Sequence, residues 1–309
     1  MSNEASHRPL EPSHGGLDRP STARRRHTVP FPQPSSTITH YQHPSIQRIH
    51  RLRYRDDRED SGHYYVEGLR FVFQAVQQHA SLEAIVVCPR LLTHNRAQRL
   101  VRHQRHLGVP ILQVTPRVMH QLTLVNDPQG IGAVVRQHWE ALAHISPGDG
   151  LCWIALHMVR SAGNLGTILR TSDAVGGAGV ILLGNAVDPY DPATVRATMG
   201  SLYSQRLVRT TPAAFARWKR RHRCVLVGTA PDAPIDYHAL SYRRPAVLFM
   251  GEERRGLPTD LQALCDHMVR IPMVGRSDSL NLGVATALML YELFNQRRAS
   301  SGAPPEPVL

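Results

Sequence analysis

Apolar residues are sparse and without period up to Pro44, and from Ser45 onward they recur at regular spacings. Over Val66–His79, the residues Val66, Leu69, Val72, Phe73 and Val76 fall on one face at helical spacing, which predicts an amphipathic helix. A continuous apolar run at Ala84–Cys88 predicts a strand and Arg96–Leu107 a basic helix. Val109–Val114 predicts a strand, and Gly130–Val135 another after the turn signal Asn126-Asp127-Pro128. Helix and strand alternate here as in a small α/β domain, assigned to residues 45–140. The polar segment His144–Asp149, with Pro147 and Gly148, reads as a linker. Beyond it the alternation is stricter, with strands predicted at Leu151–Leu156, Val180–Leu183, Cys224–Val227, Ala246–Met250 and Met268–Ile271, and helices between several of them. Strands separated by helices imply a parallel sheet covered on both faces. The last helix, Leu280–Gln296, carries Leu280, Val284, Leu288 and Tyr291 at helical spacing, and this second α/β unit is assigned to residues 150–298. Residues 1–44, rich in Pro, Ser, His and Arg, cannot offset the entropy of ordering and are expected to be a disordered tail; the Pro-rich residues 299–309 are expected to be a flexible one.

Composition narrows the class. A length of 309 residues suits two domains, and 42% apolar content is enough for two cores. No stretch approaches the run of about 18 apolar residues that a membrane span needs. Cys88, Cys152, Cys224 and Cys265 stand far apart, with no CxxC and no secretory pattern at the N-terminus, so a reduced, cytoplasmic compartment is expected. With 36 basic and 24 acidic residues the net charge is +12, which makes a polyanion, nucleic acid first, the expected partner. Only Lys219 among the basic residues is lysine. Schiff-base chemistry therefore has almost no candidate, whereas arginines able to grip phosphate are plentiful. Arg24, Arg25 and Arg26 in the tail, and His103 and His106 on the basic helix, read as solvated surface groups rather than as an RNA contact or a metal site.

The familiar phosphate and catalytic motifs fail. Gly177 and Gly179 begin a GxG, but Leu182 stands at the third glycine position and the pair precedes a strand. There is no Walker lysine, no GxSxG, no HExxH and no carboxylate-rich metal cluster. No metal is expected, and a nicotinamide-dependent oxidoreductase is a distant reading.

Three other stretches carry chemistry. Arg160–Gly176 follows a strand and opens a helix, with Asn164 at its N-terminus, as cap or site residue, and Arg170 about two turns in, as surface arginine or anion clamp. Val247–Leu257 is an apolar strand that ends in glycine and the paired carboxylates Glu252 and Glu253, a solvated turn or a site at a strand's carboxyl end. Ile271–Ala285 leaves a strand through a loop containing Pro272, Gly275 and Ser279 and reaches Asn281, again a cap or a site residue.

Together these stretches resemble the three motifs of the SpoU-type RNA 2'-O-ribose methyltransferases of the SPOUT superfamily. Their order, the step from Asn164 to Arg170, the segment Gly251–Leu257, and Ile271-Pro272-Met273 followed by Ser279-Leu280-Asn281 all match, as does Val195–Leu202 between the first two. Tyr65–Arg70 and Asp127–Val134 resemble the ribosomal-protein-like substrate-binding domain that precedes the catalytic domain in many rRNA-modifying members. The resemblance covers about Ser45–Arg298; one departure is Met158-Val159-Arg160 ahead of Ser161, where relatives often carry an Asp-Pro lead-in.

The resemblance implies an α/β fold whose C-terminal parallel-sheet catalytic domain ends in a deep trefoil knot, preceded by the small α/β substrate-binding domain. It implies a homodimer with active sites at the interface and S-adenosyl-methionine as cofactor, held by Leu248, Met250, Gly251, Gly256, Ile271, Met273, Ser279 and Leu280. Methyl transfer to a ribose 2'-hydroxyl would involve Asn164, Arg170, Glu253 and Asn281. Arginine is effectively always protonated, so Arg170 suits a phosphate clamp and alkoxide stabiliser better than a base. Asn164 would orient it or the ribose, Glu253 would shape the cofactor loop, and Asn281 would tie the third motif to the first. The expected substrate is ribosomal RNA; the alternatives are a tRNA 2'-O-methyltransferase and a non-catalytic RNA-binding ribosome assembly factor on the same fold.

Overall fold

The structure is a computed structural model that describes residues 29–242 and 245–301. The arginines at 24–26, most of the expected N-terminal tail and residues 302–309 lie outside the described residues.

The first unit runs α1 (Pro44–Arg51), α2 (Arg55–Ser61), β1 (His63–Glu67), α3 (Leu69–Gln77), β2 (Leu82–Val87), α4 (Asn95–His106), β3 (Ile111–Gln113), α5 (Pro116–Leu122) and β4 (Ile131–Arg136). Its sheet has the order β1-β4-β2-β3, with β4 antiparallel to both neighbours and β2 parallel to β3. Helices α3 and α4 cover one face, and α1 with α5 the other.

Two expectations are corrected here. The helix expected from Val66 begins only after Gly68, whose φ of 96° ends β1 and whose missing side chain leaves room for the Gln129 side-chain oxygen Oε1, which accepts from the Leu69 N–H. Val66 shares the spacing of Leu69 and Val72 by coincidence and faces inward from a strand. The expected tail is also too long. Phe31 and Ile38 are buried, Ile38 bridges Val114 in parallel, and Gln33 makes two hydrogen bonds to the backbone of Ile111, at 2.9 and 3.3 Å. Residues 29–43 therefore cover the edge of the sheet beside β3, where open backbone groups supply their partners.

The second unit runs β5 (Trp153–His157), α6 (Ala162–Ala174), β6 (Gly179–Leu183), α7 (Pro192–Ala197), β7 (Arg206–Thr210), α8 (Pro212–His222), β8 (Val225–Thr229), β9 (Ile235–Asp236), β10 (Ala246–Met250), α9 (Thr259–Gln262), β11 (His267–Arg270) and α10 (Leu282–Ser301). Its sheet is parallel throughout, in the order β7-β6-β5-β10-β8-β11-β9. Both faces are buried, which is why the strands read as unbroken apolar runs. Ile154, Leu156, Leu248 and Met250 pack with α6 and α10, while Trp153, Ala155, Val247 and Phe249 pack with Phe215 and Trp218 of α8.

The apolar stripe expected on the last helix points the wrong way for a core. Leu280, Val284, Leu288 and Tyr291 are 38%, 48%, 37% and 46% exposed, and α10 instead buries Leu282, Thr286, Met289, Leu290 and Leu293. The helix also continues through residues 299–301, assigned above to the loose end. The supposed linker is clamped: Arg206 pairs with Glu140 and Asp149, each at 2.7 Å, and Trp153 Nε1 donates to the Ser146 carbonyl at 2.7 Å.

The two units meet across a buried polar contact. Arg58, 1% exposed, donates to Asp188, 4% exposed, at 2.8 Å, and Tyr190 lies against Tyr64 and Trp139 while bonding the backbone of His138. No helix among the described residues is long and apolar enough to cross a membrane.

Candidate active site

The carboxyl ends of β5, β8, β10 and β11 bring the chemistry-bearing loops together, since β10 lies between β5 and β8. After β5 the chain turns at Met158, in the left-handed region at φ 52°, and Ser161 then caps α6 by accepting from the Asn164 backbone N–H at 3.2 Å. This is the geometry that Met158-Val159-Arg160 supplies in place of an Asp-Pro lead-in. The Asn164 side chain is thus left free of capping duty and is 8% exposed.

After β10 the chain makes a tight hairpin. Glu252 and Gly256 exchange backbone hydrogen bonds at 3.2 and 2.9 Å, Gly256 sits at φ 64°, and a Cβ at Gly251 would collide with the backbone of Gly256 and Leu257. The hairpin presents Glu253 to the start of α6. Its carboxylate accepts from the backbone N–H groups of Arg160 (3.2 Å) and Ser161 (2.9 Å) and from the Asn164 side-chain amide (3.1 Å). Burial pushes this carboxyl up, but the Ser161 and Arg160 N–H groups and the Asn164 amide outweigh it and hold it below the usual range. Glu252 pairs with Arg160 at 3.1 Å.

The third loop closes the chain of contacts. Asn281 Nδ2 donates to Asn164 Oδ1 at 2.9 Å, and Asn281 Oδ1 accepts from the N–H groups of Gly283 (2.9 Å) and Val284 (3.3 Å), so Asn281 is both a cap of α10 and a member of the site. Gly283 lets the start of α10 approach α6: a Cβ there would lie 3.1 Å from Thr167. Glu253, Asn164 and Asn281 therefore form one hydrogen-bonded line across three loops.

Arg170 does not join that line. It is exposed on α6 and makes no hydrogen bond or ion pair among the described residues. Six residues after Asn164, it lies about 9 Å further along the helix axis. It is a guanidinium available to a ligand from outside.

Beside the line lies a cleft of ≈ 380 Å³, lined by Met250, Gly251, Gly256, Ile271, Met273, Ser279 and Leu280 among the residues expected to hold a cofactor. That volume is within the range of small-molecule sites. Leu248 is the exception. It is fully buried in β10, between Ile154 of β5 and Val227 of β8, because it stands two residues inside the strand's carboxyl end, whereas Met250 on the same face stands at that end and reaches the cleft. The cleft also takes in Thr229 at the end of β8 and Ala230, Pro231 and Asp232 beyond it, with Leu257, Gln262, Asp278 and Leu282. The strand predicted at Cys224–Val227 stopped two residues short of that β8 edge; its carboxyl end was the signal for these positions. His103 and His106 are exposed on α4.

The donor set fits S-adenosyl-methionine. Met250, Leu257, Ile271, Met273 and Leu280 offer an apolar slot for a flat ring, between loops with main-chain polar groups. Asp232, Glu252 and Glu253 line the same cleft and can accept from hydroxyl and ammonium groups and balance a sulfonium charge.

Residues 152–291 match the SpoU rRNA Methylase family, and residues 43–133 the MRM3-like substrate binding domain. Among curated relatives, a 23S rRNA (uridine(2479)-2'-O)-methyltransferase of Streptomyces viridochromogenes is 31% identical over 250 residues, covering 79% of this chain and 86% of that protein. A tRNA (guanosine(18)-2'-O)-methyltransferase of Escherichia coli is 33% identical over 159 residues, covering 52% and 68%. Among solved structures, an AdoMet-bound rRNA methyltransferase from Sinorhizobium meliloti superposes with a TM-score of 0.78 at 33% identity, covering 84% of this chain and 97% of that one.

Proposed function

We infer, from a chain that belongs to the SpoU rRNA methylase family, that this protein is an S-adenosyl-methionine-dependent RNA 2'-O-ribose methyltransferase. The observation that carries the reading is the Glu253–Asn164–Asn281 line at the mouth of a cleft built from the second and third motif loops.

When bound, S-adenosyl-methionine supplies an already activated methyl group, so the protein's own task is largely positioning. Glu253 holds the hairpin against the start of α6, and Asn281 holds the third loop to the first, so the cleft walls keep a fixed relation to Asn164. Arg170, exposed on α6, clamps an RNA phosphate through its planar fork and stabilises charge developing on the ribose oxygen. Met250, Gly251, Gly256, Ile271, Met273, Ser279 and Leu280 hold the cofactor.

Ribosomal RNA is the substrate we propose over tRNA. The supports are the Streptomyces relative, whose name specifies 23S rRNA and which aligns over most of both chains, and the separate substrate-binding unit. A second copy of the chain is proposed to cover the exposed stripe of Val284, Leu288 and Tyr291 on α10. Threading of the third loop as a trefoil is supported by the late strand β10 lying between β5 and β8 and by the return of α10 onto α6.

Purified protein should bind S-adenosyl-methionine by calorimetry and transfer tritiated methyl to unmodified ribosomal RNA without an added metal. Activity abolished by a chelator and restored by zinc, with the RNA still folded, would reject the site. Preferential labelling of tRNA would move the substrate to the alternative class, and cofactor binding without transfer to any RNA would favour the assembly-factor reading.

A further inference from the structure

Helix α4 is charged in a way that its own stability does not explain. Its buried side is Ala97, Val101 and Gln104; its exposed positions include Arg96, Arg99, Arg102, His103, Arg105 and His106, with no acidic residue on the helix. The four arginines make no hydrogen bond, ion pair or ring contact among the described residues. Arg96, Arg99, Arg102 and Arg105 follow one another at i,i+3, the spacing at which like charges on a helix repel. Arg96 stands in the first turn, where the helix dipole disfavours a cation, and the N-cap His94 makes no side-chain cap.

Helix α8 shows what an ordinary basic helix in this chain looks like. Thr211 caps it, Lys219, Arg220, Arg221 and His222 gather in its last turn, where the dipole favours them, and Lys219 pairs with Asp266 at 2.7 Å. Arginine-rich composition alone therefore accounts for α8 and leaves α4 unexplained.

We propose that the exposed face of α4 is a docking surface for the phosphate backbone of the RNA substrate; that the polyanion is RNA rests on the methyltransferase reading. The nine residue steps from Arg96 to Arg105 cover about 14 Å along the axis, and each step of three turns the series about 60° round the helix, so the four arginines spread across its exposed face and can meet several phosphates of an RNA strand. Neutralisation by phosphates removes the repulsion that the folded helix otherwise carries. The stripe has a connected path to the catalytic unit. Phe73 of α3 contacts His94 at the start of α4, Arg70 of α3 reaches Met199, and Ser204 beyond it bonds Asp173 of α6, the helix that carries Arg170. Contacts of this kind position RNA without reading its sequence.

The test compares two triple variants of the full chain that remove the same charge. One is Arg99→Gln, Arg102→Gln and Arg105→Gln on α4; the other is Arg217→Gln, Arg220→Gln and Arg221→Gln on α8. The probes are in vitro-transcribed large-subunit ribosomal RNA for methyl transfer, and the same RNA for filter binding across a salt series. The α4 triple should raise KM for RNA about tenfold with kcat unchanged, and should flatten the log–log salt slope of binding by about 1 for each arginine in contact. Its affinity for S-adenosyl-methionine should not move, and its Tm should hold or rise, because glutamine matches arginine in helix propensity and the repulsion is gone. The α8 triple should leave KM, the salt slope and cofactor affinity unchanged, and should lower Tm slightly because the dipole favours the arginines it removes from the last turn. Equal losses in both triples would reduce the effect to net charge, and an unchanged KM and salt slope in the α4 triple would show that RNA does not touch the helix; either result overturns the proposal. Salt-dependent RNA binding through α4 in a protein that binds no S-adenosyl-methionine would instead sink the methyltransferase reading and leave this surface standing.

Discussion

Glu253 gathers N–H groups from Arg160, Ser161 and Asn164, and Asn164 passes the line on to Asn281, so one carboxylate holds three loops in register. Glu253→Gln keeps one acceptor oxygen but turns an amide against donors; a stability loss of about 1.5–3 kcal/mol is expected, with weaker cofactor binding in calorimetry. The pH dependence follows from the depressed carboxyl. Its contribution is fully present above the unfolded value, about 4.3, and is lost as pH falls through the lower folded value. The Tm gap between wild type and Glu253→Gln should therefore be constant near neutrality and close only in acid. Arg170 behaves differently because it makes no hydrogen bond or ion pair among the described residues. Arg170→Lys should melt like the wild type, and loss of one preorganised contact should slow single-turnover methyl transfer about 100- to 1,000-fold. A near wild-type rate would reject the clamp, and a rate loss that tracks Tm would make the residue structural.

Elements add what single residues cannot. Helix α10 is apolar on two sides: one packs on the sheet and α6, and the other carries Val284, Leu288 and Tyr291 in solvent. If a second copy covers that side, Leu288→Glu should convert a dimer to a monomer in sedimentation while each chain stays folded. A monomeric wild type would reject the assignment. At the other end, the segment 29–43 belongs to the first unit through Phe31, Ile38 and Gln33. Removing residues 1–28 should leave Tm unchanged. Removing residues 1–43 should lower it, because burial of each large apolar side chain contributes about 1.5–3 kcal/mol. Equal Tm values for the two truncations would show that the segment adds nothing.

Across the whole molecule, the buried Arg58–Asp188 pair joins the units, and Arg58→Ala leaves a carboxylate stranded at 4% exposure. Urea unfolding should show a loss of about 3–5 kcal/mol; a smaller change would mean that water reaches the contact. Local pattern carried much of this architecture. The strands at Ala246–Met250 and Val180–Leu183 were legible because a strand buried on both faces is apolar at every position, and the three site loops because glycine, proline and paired carboxylates stand at strand ends. Pattern records how much of a segment is buried, not against what. Leu248 is apolar in a site loop's strand, yet it lies too deep in the sheet to reach the cleft that Met250 lines, and the stripe at Val284, Leu288 and Tyr291 has core spacing but lies in solvent. The sheet edge that orders Phe31 and Ile38 lies some 75 residues away along the chain, beyond any local period. The meeting of Asn164 with Glu253 and Asn281, 89 and 117 residues further on, depends on β10 lying between β5 and β8. Residue types and their spacing are properties of a segment and can be read within it. Strand order, the side each face turns to and the loops that meet are settled by long-range packing, and only the folded chain decides them.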